Sequence, residues 1–337
     1  MCRGLPSDKC ASTLLCDATC GKCKPRRHKR WAVRTPRLPP RNSTPVALAQ
    51  ELLRRRKSLQ LVQIGAHFGD FNKSQWHSGV GGDSARRVVH TLLENQRTRA
   101  LLLEPNPSAF TILQAGVHAR SSSLPATTAV NAAVCPNTTG TVDFYVVSRR
   151  FLQEFPNAPY WAQSELSTTV RSSILRGVHL VVRPKDPELY VEKIRVPCYR
   201  PDDLLRMQSV DPRSVDALVV DAEGLDANLV EAFMNGAGVQ PALIIFEAHI
   251  ADAQSLRVLY ATLRRGGYKL DCCGCATWVV ANSKDPLTAR DLMNASKVKK
   301  CDSGRNAVAW DPRQLDLSVA VARSPGLQAW YERIGGA

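Results

Sequence analysis

The sequence predicts an α/β fold in which helices cover both faces of a mostly parallel, doubly wound sheet. From Val46 onward, short apolar strands alternate with amphipathic helices, a pattern typical of parallel sheets. The 337 residues are 44% hydrophobic, which is enough to build a large core. The most apolar runs, such as residues 217–220, have the length of strands and are far shorter than the roughly 18 to 20 residues of a membrane span.

Each predicted element rests on one of two periodicities. Apolar runs of strand length predict strands, and apolar residues recurring every three or four positions predict helices. These patterns predict, in chain order, helix 47–56, strand 59–64, helix 84–94, strand 100–104, helix 108–117, strands 127–132, 141–147 and 194–198, helix 201–207, strand 217–221, helix 227–233, strand 243–247, helix 253–265, and strands 269–273 and 277–281. Residues 148–193 follow neither period and are predicted to be irregular. Residues 46–284 therefore form the predicted main domain.

The segments that flank this domain differ from it in composition. Residues 285–337 lack the alternation and are predicted to be a C-terminal extension with a helix near residues 326–334. Residues 24–45 contain five prolines and no acidic residue, which indicates an extended, solvated linker. Residues 1–23 hold five of the eleven cysteines. So small a segment needs disulfides or a metal to hold a shape.

The last three of these cysteines, Cys16, Cys20 and Cys23, have a spacing that resembles the end of an ShKT module, a small secreted disulfide domain. A zinc site and an unstructured segment are the alternatives. The resemblance favours a secretory or extracellular location, although no signal peptide is visible in the sequence. Four N-glycosylation sequons agree with that location and begin at Asn42, Asn72, Asn137 and Asn294.

The basic character of the chain is concentrated near its N-terminus. The whole sequence carries a formal charge of +15, and residues 1–57, with 15 basic and 3 acidic side chains, account for +12 of it. The main domain is close to balanced, so the charge does not indicate a nucleic-acid partner for it. The basic N-terminal arm is instead suited to contact acidic glycans or a membrane surface.

Candidate binding residues follow the first strand, because ligands of doubly wound sheets bind at the carboxyl ends of the strands. Gln63 offers a polar side chain there, and Gly65 and Gly69 permit a sharp turn and a close backbone approach. The segment is not the G-x-G-x-x-G of dinucleotide enzymes, which argues against a nicotinamide oxidoreductase. A plain turn is the structural alternative.

Glu104 ends the second strand, directly after an apolar run. A carboxylate in that position costs free energy unless it is paired or open to a ligand. The two hydroxyl donors of a ribose would suit it. Its alternative role is to interact with the N-terminus of the helix near Ser108.

Further motifs, taken in their order along residues 58–283, resemble the FkbM family of S-adenosylmethionine-dependent methyltransferases. The matching pieces are QIGAHFGD at 63–70, LLEPNP at 102–107, NAAVCPNTTGTVDFY at 131–145, VPCYRPDDLL at 196–205, VDALVVDAEGLDANLV at 215–230, PALIIFE at 241–247 and LRRGGYKL at 263–270. The family commonly has an acid where Gln63 stands and Asn where His67 stands. The first difference removes a charge that would face the methionine ammonium group.

The resemblance implies a Rossmann-like class I methyltransferase fold with an antiparallel last strand, and S-adenosylmethionine as its cofactor. It places Gln63, Gly65, His67 and Gly69 around the methionine part of the cofactor, and Glu104 at the ribose. It also places Asn131 and Ala132 beside the adenine. For Asn131, capping of the strand end is the structural alternative.

Two further strand ends supply candidate catalytic residues. Asp221 and Glu223 follow the strand at 217–221 with a spacing that directs both side chains to one side of an extended segment. There they can face the cofactor's sulfonium, bind the cofactor or take a proton from an acceptor hydroxyl. For Glu223, helix capping without chemistry is the alternative, and Asp226 is the predicted N-cap. His249, two residues after Glu247, is a further candidate base.

Together with the resemblance, these residues predict an S-adenosylmethionine-dependent O-methyltransferase that acts on a hydroxyl of a small molecule or glycan, namely a carbohydrate or glycosylated metabolite. Asp221, Glu223, Glu247 and His249 could also bind a divalent cation. We predict no metal, because methyl transfer from a sulfonium does not require one. The alternative function is a non-catalytic glycan-binding or scaffold protein with a degenerate methyltransferase fold.

Overall fold

Two β-sheets organise the part of the chain that the structure describes. The computed structural model describes residues 43–69, 84–122, 126–159, 162, 165–248, 251–272 and 306–315, all within one compact unit. The strands in these ranges are β1 (Leu59–Ile64), β2 (Thr98–Leu103), β3 (Thr127–Val130), β4 (Ala133–Val134), β5 (Gly140–Val147), β6 (Ser167–Thr168), β7 (Val191–Tyr199), β8 (Val215–Val220), β9 (Leu243–Glu247), β10 (Lys269–Cys272) and β11 (Asn306–Trp310).

Helices connect most of these strands. They are α1 (Ser43–Arg55), α2 (Ser84–Leu93), α3 (Pro107–Ala119), α4 (Arg149–Glu154), α5 (Arg171–Val182), α6 (Pro201–Met207), α7 (Asp226–Glu231) and α8 (Ala253–Arg265), with 3₁₀ turns at Pro187–Tyr190 and Pro212–Ser214 and a π turn at Ala232–Gly236. The helix α1 begins inside the predicted linker, and Pro45 lies in its first turn, where a missing backbone N–H costs no hydrogen bond. No described helix is both long enough and apolar enough to cross a bilayer.

The main sheet has the order β10-β11-β9-β8-β1-β2-β3. Its pairs are parallel except those of β11, which is antiparallel to both β9 and β10. The predicted mostly parallel, Rossmann-like sheet with an antiparallel last strand is therefore confirmed. From β1 the chain builds outward through β2 and β3, and it later returns to build the other side from β8. The strand order thus reverses at β1, and such a reversal opens a crevice at the carboxyl ends of the strands.

Both faces of the main sheet are covered by apolar side chains. On one face, residues such as Ile64 and Phe246 pack with α6, α7 and α8; on the other, residues such as Val219 pack with α1, α2 and α3. Successive residues of a strand point to opposite faces, so a strand buried on both sides needs a continuous apolar run. Full burial of such a side chain contributes roughly 1.5 to 3 kcal/mol, which anchors the strand ends that carry the polar residues.

The second sheet has the order β4-β7-β5-β6. A disulfide joins Cys135, which follows β4, to Cys198 in β7. Beside this sheet, α4 and α5 bury a cluster that includes Phe151, Ile174 and Tyr190. The expectation that residues 148–193 are irregular is therefore wrong for the described part of that segment. The helix α4 has only six residues, which are too few for a helical period to show in the sequence.

The strand β11 corrects the predicted C-terminal boundary. The domain was expected to end at residue 284, yet Asn306–Trp310 pairs along its length with β9 and β10. The five residues of β11 are not part of a regular alternation of strands and helices in the sequence, so the pattern does not reveal them. Their pairing depends on contacts with strands that are distant in sequence. The predicted strand 277–281, the helix near 326–334, and the segment 1–23 with its linker up to residue 42 lie outside the described residues.

Candidate active site

A cleft opens where the strand order of the main sheet reverses. The ends of β1, β2 and β8 form its floor, and residues from α2 and the second sheet form its sides. The predicted residues Gln63, Gly65, His67, Glu104, Asp221 and Glu223 all line it. Residues from three separate strands therefore meet at one edge of the sheet, as the strand-end rule predicts.

The turn after β1 brings the backbone of β1 against that of β8. Gly65 has a φ of 75°, and a Cβ placed on it would lie 1.9 Å from the carbonyl oxygen of Asp221. A side chain is thus excluded both by backbone conformation and by space. The N–H groups of Gly65 and Ala66 both donate to the Leu103 carbonyl, at 3.0 and 2.8 Å. The turn is consequently fixed to β2 as well as to β8.

Glu104 is held by backbone groups from two turns. Its two carboxylate oxygens accept from the N–H of His67 at 2.7 Å and from the N–H of Asn106 at 2.8 Å. Only 4% of the residue is exposed, and burial raises its pKa to about 7, although the two hydrogen bonds act in the opposite direction. The helix-cap alternative is wrong, because Asn106 caps α3 by accepting from the N–H of Ser108.

Asn131 and Ala132, the residues predicted beside the adenine, do not face the cleft as Glu104 does. The side-chain amide of Asn131 donates to the carbonyl oxygens of Glu104, at 2.8 Å, and of Pro105, at 3.2 Å. It thereby ties the end of β3 to the turn after β2. Among the described residues of this region, Ala133, Val134 and Phe144 line the cleft, whereas Asn131 and Ala132 do not.

Three carboxyl groups converge at the ends of β8 and β9. Asp221, Glu223 and Glu247 each place an oxygen within 4.8 Å of the other two. The pKa of Glu223 is raised well above its ordinary value, first by burial and then by the charges of Glu247 and Asp221. Such a group of oxygens could hold a divalent cation, or it could face a cationic ligand in the cleft.

Asp226 organises this acidic group in a way that sequence reasoning missed. It was expected to be the N-cap of the following helix, but α7 begins at Asp226 itself and Leu225 is the N-cap. The fully buried Asp226 carboxylate accepts from the N–H groups of Ala222, Gly224 and Glu247, at 3.2, 3.1 and 3.1 Å. Burial raises its pKa to about 6. One side chain therefore joins the end of β8 to the end of β9.

The second sheet closes one side of the cleft. Arg86 of α2 forms an ion pair with Glu165, which precedes β6. The hydroxyl of Thr168 donates to the carbonyl oxygen of Glu223 at 3.4 Å. Ser167, Thr168 and Glu165 all line the cleft, so the segment before α5 contributes hydroxyl and charged groups to it.

One predicted residue cannot be placed in this geometry. His249 lies outside the described residues. Gly69 is described, has a φ of 85° and donates its N–H to the Ala66 carbonyl at 2.9 Å. It thus closes the turn after β1.

The donor and acceptor set fits a nucleoside ligand that carries a positive charge. The Glu104 carboxylate is fixed by backbone donors and can accept hydroxyl donors with its remaining lone pairs. Asp221, Glu223 and Glu247 favour a cation nearby. The side chain at the end of β1 is the neutral Gln63, which is buried and offers a polar amide without a charge.

Comparisons with solved structures and with protein families each give matches. Among solved structures, the chain is similar to a precorrin-6y C5,15-methyltransferase from Geobacter metallireducens GS-15, with 11% identity, coverage of 67% of this chain and 72% of that one, and a TM-score of 0.29. Comparison with curated protein sequences gives no match. The model of the methyltransferase FkbM domain matches residues 63–270. Because this match extends over more than half of the 337 residues, the chain belongs to the FkbM family of methyltransferases.

Proposed function

We propose that the protein is an S-adenosylmethionine-dependent O-methyltransferase that acts on a hydroxyl of a carbohydrate or glycosylated metabolite. The observation that carries the proposal is the convergence of a buried, backbone-held carboxylate, Glu104, with an acidic group at the neighbouring strand ends. When bound, the cofactor supplies an electrophilic methyl group on a positively charged sulfur. The FkbM domain match supports methyl transfer in general, and the chemistry of the cleft supports this cofactor.

Different residues of the cleft are suited to bind different parts of the cofactor. Glu104 is suited to accept the ribose hydroxyls, and the turn of Gln63, Gly65, His67 and Gly69 to surround the methionine part. Gln63 attracts the methionine ammonium group less strongly than an acid would, since an amide carries no charge. We place Asn131 and Ala132 at the adenine end of the cleft, where the side chains available for contact with the base are those of Ala133, Val134 and Phe144.

Catalysis would depend mainly on position. The cleft would hold the acceptor hydroxyl against the methyl donor, which would remove much of the entropic cost of bringing two reactants together. Asp221, Glu223 or His249 then accepts the proton that the acceptor hydroxyl releases. Glu223 is suited to this role because burial and the charges of Glu247 and Asp221 raise its pKa, which makes its carboxylate a stronger base than that of an ordinary glutamate.

A hydroxylated acceptor is suggested by the wall that faces these acids. Ser167, Thr168 and Thr169 bring hydroxyl groups to the cleft, and Glu165 and Arg86 bring charged ones. Such groups can exchange hydrogen bonds with several hydroxyls of one sugar ring. The carbohydrate proposal rests on this polar wall.

Titration calorimetry with S-adenosylmethionine tests the cofactor assignment. We expect binding by the wild-type protein and at least a tenfold loss in Glu104→Ala, which corresponds to about 1.4 kcal/mol. Glu94→Ala, at an exposed glutamate outside the cleft, is the matched control and should bind normally. An absence of binding by correctly folded wild-type protein would overturn the proposal.

Transfer of a labelled methyl group separates the enzyme from the non-catalytic alternative. Asp221→Asn and Glu223→Gln keep the size of each side chain but remove a proton acceptor. We expect one of them to lower kcat by about 100-fold or more, as loss of a general base does, and to weaken cofactor binding by a smaller factor, because each variant also removes a negative charge that faces the sulfonium. Carbohydrate binding without methyl incorporation by the wild type would instead support the glycan-binding protein.

We also propose that no metal ion takes part in the transfer, although three carboxylates lie close together. Addition of EDTA should leave the initial rate of methyl transfer unchanged, because the leaving group is already cationic and needs no Lewis acid. A rate that EDTA abolishes and Mg²⁺ or Mn²⁺ restores would contradict this. In that case Asp221, Glu223 and Glu247 would be the candidate ligands.

A further inference from the structure

A disulfide and an exposed sequon lie together at one end of the second sheet. Cys135 and Cys198 are bonded, with their Cα atoms 5.8 Å apart, and are 7% and 1% exposed. Asn137, Thr138 and Thr139 follow two residues later, in the exposed loop between β4 and β5. The two features are independent, since one concerns sulfur chemistry in the interior and the other an amide on the surface.

The disulfide indicates the compartment in which the chain matures. Disulfides persist in oxidising environments and are rare where thiols are kept reduced. Forming this bond removes two protons and two electrons from the thiols of Cys135 and Cys198. The disulfide of an oxidoreductase accepts these protons and electrons and is thereby reduced to two thiols. Such oxidants belong to the compartments through which secreted proteins pass.

The loop geometry leaves Asn137 suitable for a large substituent. Asn137 is exposed, whereas Thr139 makes the local contacts: its hydroxyl donates to the Asp203 carboxylate at 2.5 Å and accepts from the Arg200 N–H at 3.1 Å. The Thr139 hydroxyl, which the modifying enzyme recognises, can therefore form its hydrogen bonds beside α6 after modification. A glycan on Asn137 would meanwhile extend into solvent. The loop also lies on the same strand connection as the disulfide, so both modifications would stabilise one region.

We propose that Asn137 carries an N-linked glycan, acquired in the same oxidising compartment in which Cys135 and Cys198 are joined. In the transfer, the Asn137 amide nitrogen forms a bond to the anomeric carbon of a lipid-diphosphate-linked oligosaccharide. The bond from that carbon to the diphosphate oxygen breaks, the lipid diphosphate leaves, and the amide nitrogen gives up one proton. Among the four sequons, Asn137 is the one that falls within the described residues.

Mass spectrometry of the native full-length protein tests the proposal. Cells of the source organism are lysed in excess alkylating reagent, and the peptides are treated with peptide N-glycosidase in ¹⁸O water. We expect Asn137 to be converted to ¹⁸O-labelled Asp, and Cys135 and Cys198 to resist alkylation until they are reduced. An unmodified Asn137 overturns the proposal whether or not the disulfide is found, and two freely alkylated thiols overturn the assigned compartment.

Variants expressed in the same cells identify the site without depending on the stability of the fold. Asn137→Gln should increase mobility on denaturing gels by one glycan, because it removes the acceptor amide. Thr139→Ser retains a sequon and should retain the glycan. Equal mobility of wild type and Asn137→Gln, each with and without glycosidase, would contradict the proposal. Methyl transfer is not measured in either experiment, so failure here is distinguishable from failure of the proposed function.

Discussion

At the scale of single residues, the site depends on a few side chains whose environment allows no substitute. Gly65 is an example, because its missing Cβ lets the carbonyl of Asp221 approach. Asp226 is another, because its buried carboxylate accepts from three N–H groups at once. Buried donors without a partner cost about 1 to 3 kcal/mol each. Residues that make no contact with a ligand can thus determine where the ligand-facing carboxylates lie.

Alanine substitutions at Gly65 and Gly238 distinguish the cost of backbone strain from the cost of steric overlap. Gly65 and Gly238 have similar φ angles, 75° and 70°, but a Cβ on Gly238 would meet nothing within 4 Å. We expect Gly238→Ala to lower the free energy of unfolding by about 1 to 2 kcal/mol, the cost of left-handed backbone for alanine. Gly65→Ala should cost at least about 2 kcal/mol more, because β1 and β8 must separate.

Urea unfolding followed by circular dichroism measures both losses, and the two variants serve as each other's control. Equal losses would show that the approach of the Asp221 carbonyl is not rigid. The loss in Gly65→Ala should be accompanied by weaker cofactor binding, which Gly238→Ala should leave unchanged.

The sequence identifies these residues unevenly, for a physical reason. Glu104 and Asp221 are predictable because they end apolar runs, and strand ends share one edge of a parallel sheet. The role of Asp226 is not predictable in this way, since a local pattern suggests a helix cap, whereas one of its three donors, Glu247, is 21 residues away in sequence. Whether the Asp226 side chain caps a helix or accepts hydrogen bonds from distant N–H groups is decided by the tertiary structure and not by the local sequence.

At the scale of elements, the second sheet acts as one wall of the cleft of the first. Its attachment there includes the Arg86–Glu165 ion pair and the contact of Thr168 with the Glu223 carbonyl. The side chains of Arg86 and Glu165 are 27% and 24% exposed, so water screens their interaction only in part. This pair is therefore suited to hold the wall at a fixed distance from the acidic group.

A double-mutant cycle tests that role. We expect Arg86→Ala and Glu165→Gln each to raise the KM for the acceptor several-fold, and the double variant to be no worse than either, with a coupling of about 1 kcal/mol. The matched control is the exposed pair Arg171–Glu188, whose removal should leave KM unchanged. Additive effects of Arg86→Ala and Glu165→Gln would show that the two side chains act separately.

The elements also show where a sequence pattern stops being informative. The strands β1, β2, β8 and β9 have apolar runs near helices, and β1, α6, β9 and α8 have the predicted bounds. The helices α4 and α5 and the strand β11 were not predicted. Their stability comes from packing on distant parts of the chain, such as the pairing of Asn306 with Glu247, and nearby sequence does not encode such contacts.

At the scale of the whole molecule, the protein concentrates buried acids at one edge of its main sheet. Glu104, Glu223 and Asp226 all have raised pKa values, and burial is the first cause for each. Between about pH 4.5 and 7 the folded state therefore binds more protons than the unfolded state. Stability that depends on these groups rises as the pH falls through this window. Groups with lowered pKa values, such as Asp252, act in the opposite direction at lower pH.

Unfolding measured at two pH values checks this sign. Because the pKa of Glu104 is about 7 in the fold and near 4.5 when unfolded, this residue alone should raise the free energy of unfolding by about 2 kcal/mol between pH 7.5 and pH 5.5. Glu104→Gln should reduce the increase by a similar amount, since it cannot take up a proton. A protein that becomes less stable over this interval would contradict the assigned pKa values.

The position of β11 has a consequence for how the protein is made. This strand lies between β9 and β10, although both precede it in the chain. During synthesis, β9 and β10 leave the ribosome before their shared neighbour exists, and each exposes backbone groups that can pair with other chains. The main sheet can close only after residue 310 has emerged. A nascent chain of this protein is therefore expected to need protection from aggregation until residue 310 has left the ribosome.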